Sequence, residues 1–232
     1  MKKTLGIIGA EQQEIDLLLE MMTLERTVER ASCRFFCGTI HDYPVVIVRA
    51  GIGKVNAACC TQMLIDLFEV GMIINTGSAG SLNADINIGD VVLSTEVIQH
   101  DLDVTELGYE PGTVPGTGKE FAADASLRAL AAACCREANP DIAVFQGRIL
   151  TGDQFISSAA AKDRLISTFH GLCAEMEGGA IAQVASLNQV PFLIIRSISD
   201  KADGSATMDY TQFSQMASIH SAKMTETLIR KL

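Results

Sequence analysis

The chain opens on a short apolar run, Leu5–Gly9, that reads as a strand closed by glycine. From 11 to 22 the period changes. Ile15, Leu18, Leu19 and Met22 recur three and four residues apart, which predicts a helix with one buried face. Strands are expected at 34–40 and 45–50. Helical spacing returns at 56–70, with Ala57, Cys60, Met63, Leu64 and Leu67 on one side. A buried strand at 72–75 then runs into Thr76-Gly77-Ser78-Ala79-Gly80, which reads as a strand-to-loop turn. Further strands are expected at 90–98, 142–150 and 192–198, and helices at 127–135, 159–168, 177–187 and 208–232. The stretch 100–118, with Pro111, Pro115 and several glycines, has no period; irregular segments of that length in compact chains are commonly functional. Alternating strands and helices predict an α/β fold, one domain over 1–232, with a central sheet and helices on both faces. In such folds ligands gather at the carboxyl ends of strands.

Composition narrows the partners. Lys plus Arg is 18 against 28 Asp plus Glu, a net charge of -10, which argues against nucleic acid and anionic membrane as partners. No apolar run approaches a bilayer span, and the N-terminal run is too short for a secretory signal, so the cytoplasm is the expected location. The seven cysteines include two adjacent pairs but no C-x-x-C, and no His lies at ligand spacing. They read as small buried hydrophobes in a reducing compartment rather than as disulfides or a zinc site.

Four places put polar residues where burial makes them costly. Glu11 and Glu14 extend the inward face of the first helix backward, just past the first strand; the alternative is a solvated first turn complementing the helix dipole. The Gly77-Ser78-Ala79-Gly80 string either brings backbone close to a ligand or is an ordinary turn. Glu175-Met176-Glu177 lies at a strand-to-helix crossover, where two carboxylates can grip adjacent ribose hydroxyls or simply cap the helix. The apolar strand ending Arg196-Ser197-Ile198-Ser199-Asp200 places Arg196 and Asp200 on one face of an extended chain, either as an ion pair or with Asp200 as a buried acid of raised pKa. Gly6-Ile7-Ile8-Gly9-Ala10 lacks the spacing of a dinucleotide fingerprint.

Taken in order, Gly6-Ile7-Ile8-Gly9-Ala10 with Glu14, Gly51-Ile52-Gly53-Lys54-Val55, Asn75 to Gly80, Gly152-Asp153-Gln154-Phe155-Ile156, Glu175-Met176-Glu177 and Ser197-Ile198-Ser199-Asp200 resemble the bacterial 5′-methylthioadenosine/S-adenosylhomocysteine nucleosidases, of the nucleoside phosphorylase superfamily. The resemblance runs from Lys3 to about Leu232. It implies a nucleoside phosphorylase-like domain with a mixed central sheet, a homodimer with shared active sites, and hydrolysis of the N-glycosidic bond of a thio-nucleoside substrate through an oxocarbenium-like transition state. It implies no metal and no organic cofactor. Asp200 matches the general acid to adenine N7, and Glu14 the residue that activates water, with Arg196 and Ser78 holding that water. Ala79 and Gly80 match substrate-binding positions beside Ser78. Glu177 matches the carboxylate on the ribose hydroxyls; Glu175 stands beside it, and Met176 packs on the sugar. Phe155 would stack on adenine, the backbone of Ile156 would read its edge, and Ser199 would position Asp200. Ile52 and Tyr210 would line the 5′-thio pocket. Val104, Leu107 and Pro115 would reach the neighbouring subunit's site, with Tyr109 at the mouth.

Two positions depart from the pattern: Glu11 stands where Met is frequent, and Leu107 where an aromatic is frequent. A phosphorolytic relative is the main rival. Relatives that use phosphate carry Arg before the Gly-Ser-x-Gly turn and in the loop after the first strand; this chain has Asn75 and Glu11-Gln12-Gln13-Glu14 there, an unfavourable setting for a dianion. A non-catalytic nucleoside-binding module would have lost Glu14, Glu177 or Asp200, and all are present.

Overall fold

A computed structural model describes residues 3–232. β1 (Leu5–Gly9) leads through a 3-10 turn (Gln12–Glu14) into the short helix α1 (Asp16–Glu20). An antiparallel meander follows, β2 (Thr23–Arg30), β3 (Cys33–Ile40) and β4 (Tyr43–Arg49), and then α2 (Lys54–Phe68). The remainder is β5 (Met72–Ser81), β6 (Val91–Gln99), β7 (Phe121–Ala122), α3 (Ala125–Ala138), β8 (Val144–Thr151), α4 (Ala159–Phe169), β9 (Cys173–Glu175), α5 (Gly178–Leu187), β10 (Phe192–Asp200) and α6 (Ala206–Lys231).

All ten strands belong to one mixed sheet. β5 is its hub, parallel to β1 on one side and to β10 on the other, with β9 antiparallel along its last residues. β10 also pairs with β6, β6 with β8, and β8 with β9, so five strands close a ring. β4, β3 and β2 extend from β1 as an arm. The consequence for function is directional. β1, β4, β5 and β10 run the same way, so their carboxyl ends converge.

Burial drives this arrangement. β10 is buried along its whole length, as a strand covered on both sides requires. α2 packs with α5 and α3 with α6, while α6 also lies against β5 and β10. Phe35 on β3, fully buried, meets Phe68 at the end of α2 with ring centroids 4.9 Å apart. Asp124 caps α3, its carboxylate accepting from the Leu127 N–H at 2.8 Å. Among the described residues no helix is long and apolar enough to cross a membrane.

The α/β class with a central mixed sheet stands, but several local expectations need correction. The helix expected over 11–22 divides, because Ile15 sits at φ -117° between the 3-10 turn and α1. β2 was not expected at all: Thr-Leu-Glu-Arg-Thr-Val-Glu-Arg is an exposed edge strand without an apolar face. The strand expected to end at Asn75 continues to Ser81, so Gly77-Ser78-Ala79-Gly80 is paired strand rather than turn. All seven cysteines are free thiols, and Cys59 on α2 is exposed rather than buried.

Candidate active site

A cavity of about 360 Å³ opens at the shared carboxyl ends of β1, β5 and β10. Glu14 enters it from the 3-10 turn, Ile52 from the segment after β4, and Ser78, Ala79 and Gly80 from β5. Glu175, Met176 and Glu177 come from the junction of β9 with α5, Ser199 and Asp200 from the end of β10, and Tyr210 from α6. Phe155 completes the lining from the loop after β8.

Glu14 is buried among donors. Its Oε2 accepts from the Ala10 N–H at 2.7 Å and the Glu11 N–H at 3.0 Å, and its Oε1 from the Ser78 N–H at 3.0 Å. Burial pushes the carboxyl above its ordinary range; Arg196 and the three backbone contacts pull the other way. Glycine is needed at 77 for this approach: a methyl there would stand 2.8 Å from Glu14 Oε1 and 3.1 Å from Arg196 Nη1.

Beneath the cavity lies a charge cluster. Arg196, 1% exposed, donates through Nη2 to Glu175 and to Asn75 Oδ1, and lies 3.9 Å from Glu177 Oε2. Asn75 in turn donates from Nδ2 to the Ile8 carbonyl at 2.9 Å, tying the cluster to β1. Glu175 also takes the backbone N–H groups of Glu177 at 3.1 Å and Gly178 at 2.7 Å, so it caps α5 as well as facing Arg196. Glu177 accepts from the Gly53 N–H at 2.8 Å. Burial, then the charge of Glu175, pushes the Glu177 carboxyl up to about 8, against the attraction of Arg196.

Asp200 ends β10. Its Oδ2 accepts from the Ser199 hydroxyl at 3.0 Å and its Oδ1 from the Ala202 N–H at 2.8 Å, while burial raises its pKa above the ordinary carboxylate value. A register shift between Ile198 and Asp200 breaks strict alternation. The expected common face of Arg196 and Asp200 therefore does not form, and Arg196 pairs with Glu175 instead. The Phe155 and Tyr210 rings meet edge-on at 6.0 Å, and the Tyr210 hydroxyl donates to Glu11.

Some expected site residues lie elsewhere. The Ile156 side chain is buried in a satellite cluster with Leu150, Leu165 and Phe169 and does not line the cavity, which leaves the expectation for its backbone untouched. Arg196 sits behind the wall. Leu107, Tyr109 and Pro115 are exposed and Val104 is half-buried, all on the 100–118 segment away from this chain's cavity. Three participants carried too little signal to be picked out. Ala10 and Ala174 line the cavity without any polar mark, and Thr151, at the end of β8, donates to Glu175 while accepting from the Gly179 N–H at 2.6 Å. Among the described residues no cluster of His, Cys, Asp and Glu has the geometry to hold a metal ion.

Comparison with known proteins sets this geometry in a lineage. The phosphorylase superfamily profile matches residues 4–230. The 5′-methylthioadenosine/S-adenosylhomocysteine nucleosidase of an Exiguobacterium species is 44% identical over 231 residues, covering 98% of this chain and 97% of its own length. The crystal structure of the Neisseria meningitidis nucleosidase of that name, in complex with methylthio-immucillin-A, superposes with a TM-score of 0.96 at 39% identity, covering 99% of this chain and 100% of that one. The Colwellia psychrerythraea nucleosidase with adenine gives 0.97 at 36% identity, over 100% of this chain and 96% of that one. The chain belongs to the phosphorylase superfamily and, within it, to the family of 5′-methylthioadenosine/S-adenosylhomocysteine nucleosidases.

Proposed function

We propose that the cavity hydrolyses the N-glycosidic bond of 5′-methylthioadenosine and S-adenosylhomocysteine, releasing adenine and a 5-thio-substituted ribose. The observation that carries this reading is the pair of buried carboxyls, Glu14 and Asp200, raised in pKa and lining one cavity from different strand ends. Asp200 holds its proton more tightly than an exposed Asp and so can give it to adenine N7 as the bond between base and sugar breaks. The positive charge that develops on the sugar is met by an acidic wall. Glu14 takes a proton from water as its oxygen adds to C1′. Glu177 accepts from the ribose hydroxyls, Met176 packs on the sugar, Phe155 stacks on the base, and the backbone at Ile156 reads the base edge. Arg196 acts at one remove: it fixes Glu175 and Asn75, and with them the wall that carries Glu14 and Glu177.

The same proposal includes a homodimer in which Val104, Leu107 and Pro115 reach the neighbour's cavity. The 72% exposure of Leu107, a large apolar side chain, supports it. It also includes 5′-deoxyadenosine as a third substrate, and a cytoplasmic role in methionine salvage.

The test is purified protein with 5′-methylthioadenosine in phosphate-free and in phosphate buffer, following adenine and identifying the sugar. Adenine with free methylthioribose in both buffers supports hydrolysis. Adenine only with phosphate, accompanied by a sugar 1-phosphate, overturns it in favour of phosphorolysis.

A further inference from the structure

We propose that Cys33 and Cys60 form a peroxide-sensing thiol pair, in which Cys33 is oxidised first and Cys60 then closes a reversible disulfide on it. The chemistry of the pair is independent of the function proposed above; only its effect on turnover rests on that reading.

Packing brings the two sulfurs together. Cys33 and Phe35 alternate onto the same buried face of β3. The Phe35 ring meets Phe68 at the end of α2. Two residues back along the strand, the Cys33 thiol meets that of Cys60, about two turns back along the helix. Both belong to the core cluster that holds Ala50 and Ala57. The Cys33 sulfur also lies 4.0 Å from the Ala50 carbonyl oxygen, at the end of β4.

Their surroundings assign the two roles. Cys60 is fully enclosed. Cys33 keeps 8% of its surface open and lines a hollow of about 530 Å³ beside the β2–β3 hairpin. Arg30, Arg34 and Arg49 border that hollow against one carboxylate, Glu29, whose Oε1 accepts from Arg34 Nε at 3.1 Å and Nη2 at 2.9 Å. A small oxidant thus reaches Cys33 and not Cys60, in a basic setting that favours the thiolate. A hydrogen bond from the Cys60 thiol, aided by the charge of Arg49, brings the Cys33 thiol down to about 7 against the effect of burial. The same contact, together with burial, pushes Cys60 up and keeps it protonated. Burial also raises Cys37, Cys134, Cys135 and Cys173, which leaves them as unreactive thiols. An accessible thiolate beside a second thiol is the arrangement of redox-sensing cysteines.

The Cys33 thiolate attacks one oxygen of a hydroperoxide. The O–O bond breaks, the other oxygen leaves with a proton as water or alcohol, and Cys33 becomes a sulfenic acid. The Cys60 sulfur then bonds to that of Cys33, its proton joins the departing hydroxide, and water leaves. Two thiols are oxidised and one peroxide is reduced; a dithiol reverses the bond by exchange. The disulfide ties β3 to α2 directly behind the segment that joins β4 to α2. Ile52 of that segment lines the cavity, and the Gly53 N–H donates to Glu177 at 2.8 Å. Drawing α2 onto β3 disturbs that contact.

The experiment treats the reduced protein with hydrogen peroxide and maps its thiols by mass spectrometry. We expect the wild-type protein to lose two hydrogens, to yield linked peptides containing Cys33 and Cys60, and to recover both thiols with dithiothreitol. Cys60→Ser should stop at the sulfenic acid, trapped on Cys33 by dimedone. Cys33→Ser should give neither product, and Cys59→Ser should form the disulfide as the wild type does. Thiols retained at both 33 and 60, or a bond through the exposed Cys59, overturn the pair. Oxidised wild-type protein should show kcat/KM for 5′-methylthioadenosine lowered about tenfold, the scale of one hydrogen bond to a charged group. An unchanged kcat/KM in fully oxidised protein overturns the link to the cavity. No adenine release from the reduced protein overturns the nucleosidase reading and leaves the thiol pair to stand on the mass measurement.

Discussion

Replacing Glu175 by Gln removes one charge from the buried cluster while preserving its shape. The side-chain carbonyl can still accept from Arg196, Glu177 N–H and Gly178 N–H, and the new amide can donate to Thr151 in place of accepting from it. What is lost is the counter-charge of an arginine that is 1% exposed. Breaking a buried pair by removing one partner costs about 3–5 kcal/mol. Part of that returns, because Glu177 lies 3.9 Å from the same guanidinium and is held near 8 partly by the Glu175 charge. With Glu175 neutral, Glu177 ionises more readily and takes over some of the pairing. A net loss of about 2–3 kcal/mol near pH 7 is expected. The pH dependence is more diagnostic. In the wild-type protein the folded Glu177 pKa of about 8 lies above the ordinary 4.5, so between these values the folded state binds more protons than the unfolded one. Its contribution to stability is therefore present at acid pH and is lost as pH rises through about 8. In Glu175→Gln that upper boundary falls. The deficit against wild type should be largest below pH 7 and narrow above 8, read from urea unfolding across that range. The alkaline-rising limb of kcat/KM should move to lower pH in parallel. Equal stability at pH 6, within about 0.5 kcal/mol, would refute the claim that Arg196 depends on Glu175. A constant deficit across pH would refute the coupling to Glu177.

Three further outcomes are expected. Asp200→Asn keeps the shape but removes the proposed proton donor, and kcat for adenine release should fall by about 100-fold or more; near-wild-type turnover would reject the assignment. Gly77→Ala puts a methyl 2.8 Å from Glu14 Oε1, so the carboxylate must move; kcat should fall at least about tenfold, with the fold retained by circular dichroism. Phe35→Ala empties a fully buried ring site packed at a tilt against Phe68; it should cost about 3–5 kcal/mol in urea unfolding while leaving KM unchanged, as the ring does not line the cavity.

Much of the fold was legible because burial leaves a period. β10 and α3 lie within a few residues of where their apolar pattern put them. β2 left no such trace: its side chains are exposed, and its place on β3 is set by backbone pairing, which a sequence does not display. The string 76–80 misled for a related reason. Glycine in a strand is read as a turn, yet here Gly77 and Gly80 leave room for carboxylates; a methyl at 80 would lie 2.7 Å from Asp200 Oδ1. Candidate residues at strand ends were recognisable individually, since acids beside apolar runs are conspicuous. Which of them pair with one another was not. That Arg196 faces Glu175 rather than Asp200 follows from a single-residue register shift and from the ring closure that brings β9 to β5. Neither is a property of any local stretch.

The cluster also bears on the choice between water and phosphate as nucleophile. A phosphate needs cations or convergent N–H groups, and the site has candidates for both. Each is already engaged by the protein's own anions. Arg196 is offset by Glu175, with Glu177 and Glu14 nearby. The amide of Asn75 is spent on the Ile8 carbonyl and on Arg196. The N–H groups of Ala10, Glu11 and Ser78 converge on a point as in an anion-binding nest, but the anion there is the Glu14 carboxylate. A dianion would have to evict that carboxylate and then face Glu175 and Glu177 at short range in a buried setting, where like charges repel strongly. A water molecule evicts nothing and finds in Glu14 an acceptor whose proton affinity burial has raised. On the function proposed above, the residues that close the site to phosphate are thus the ones that would equip it to use water.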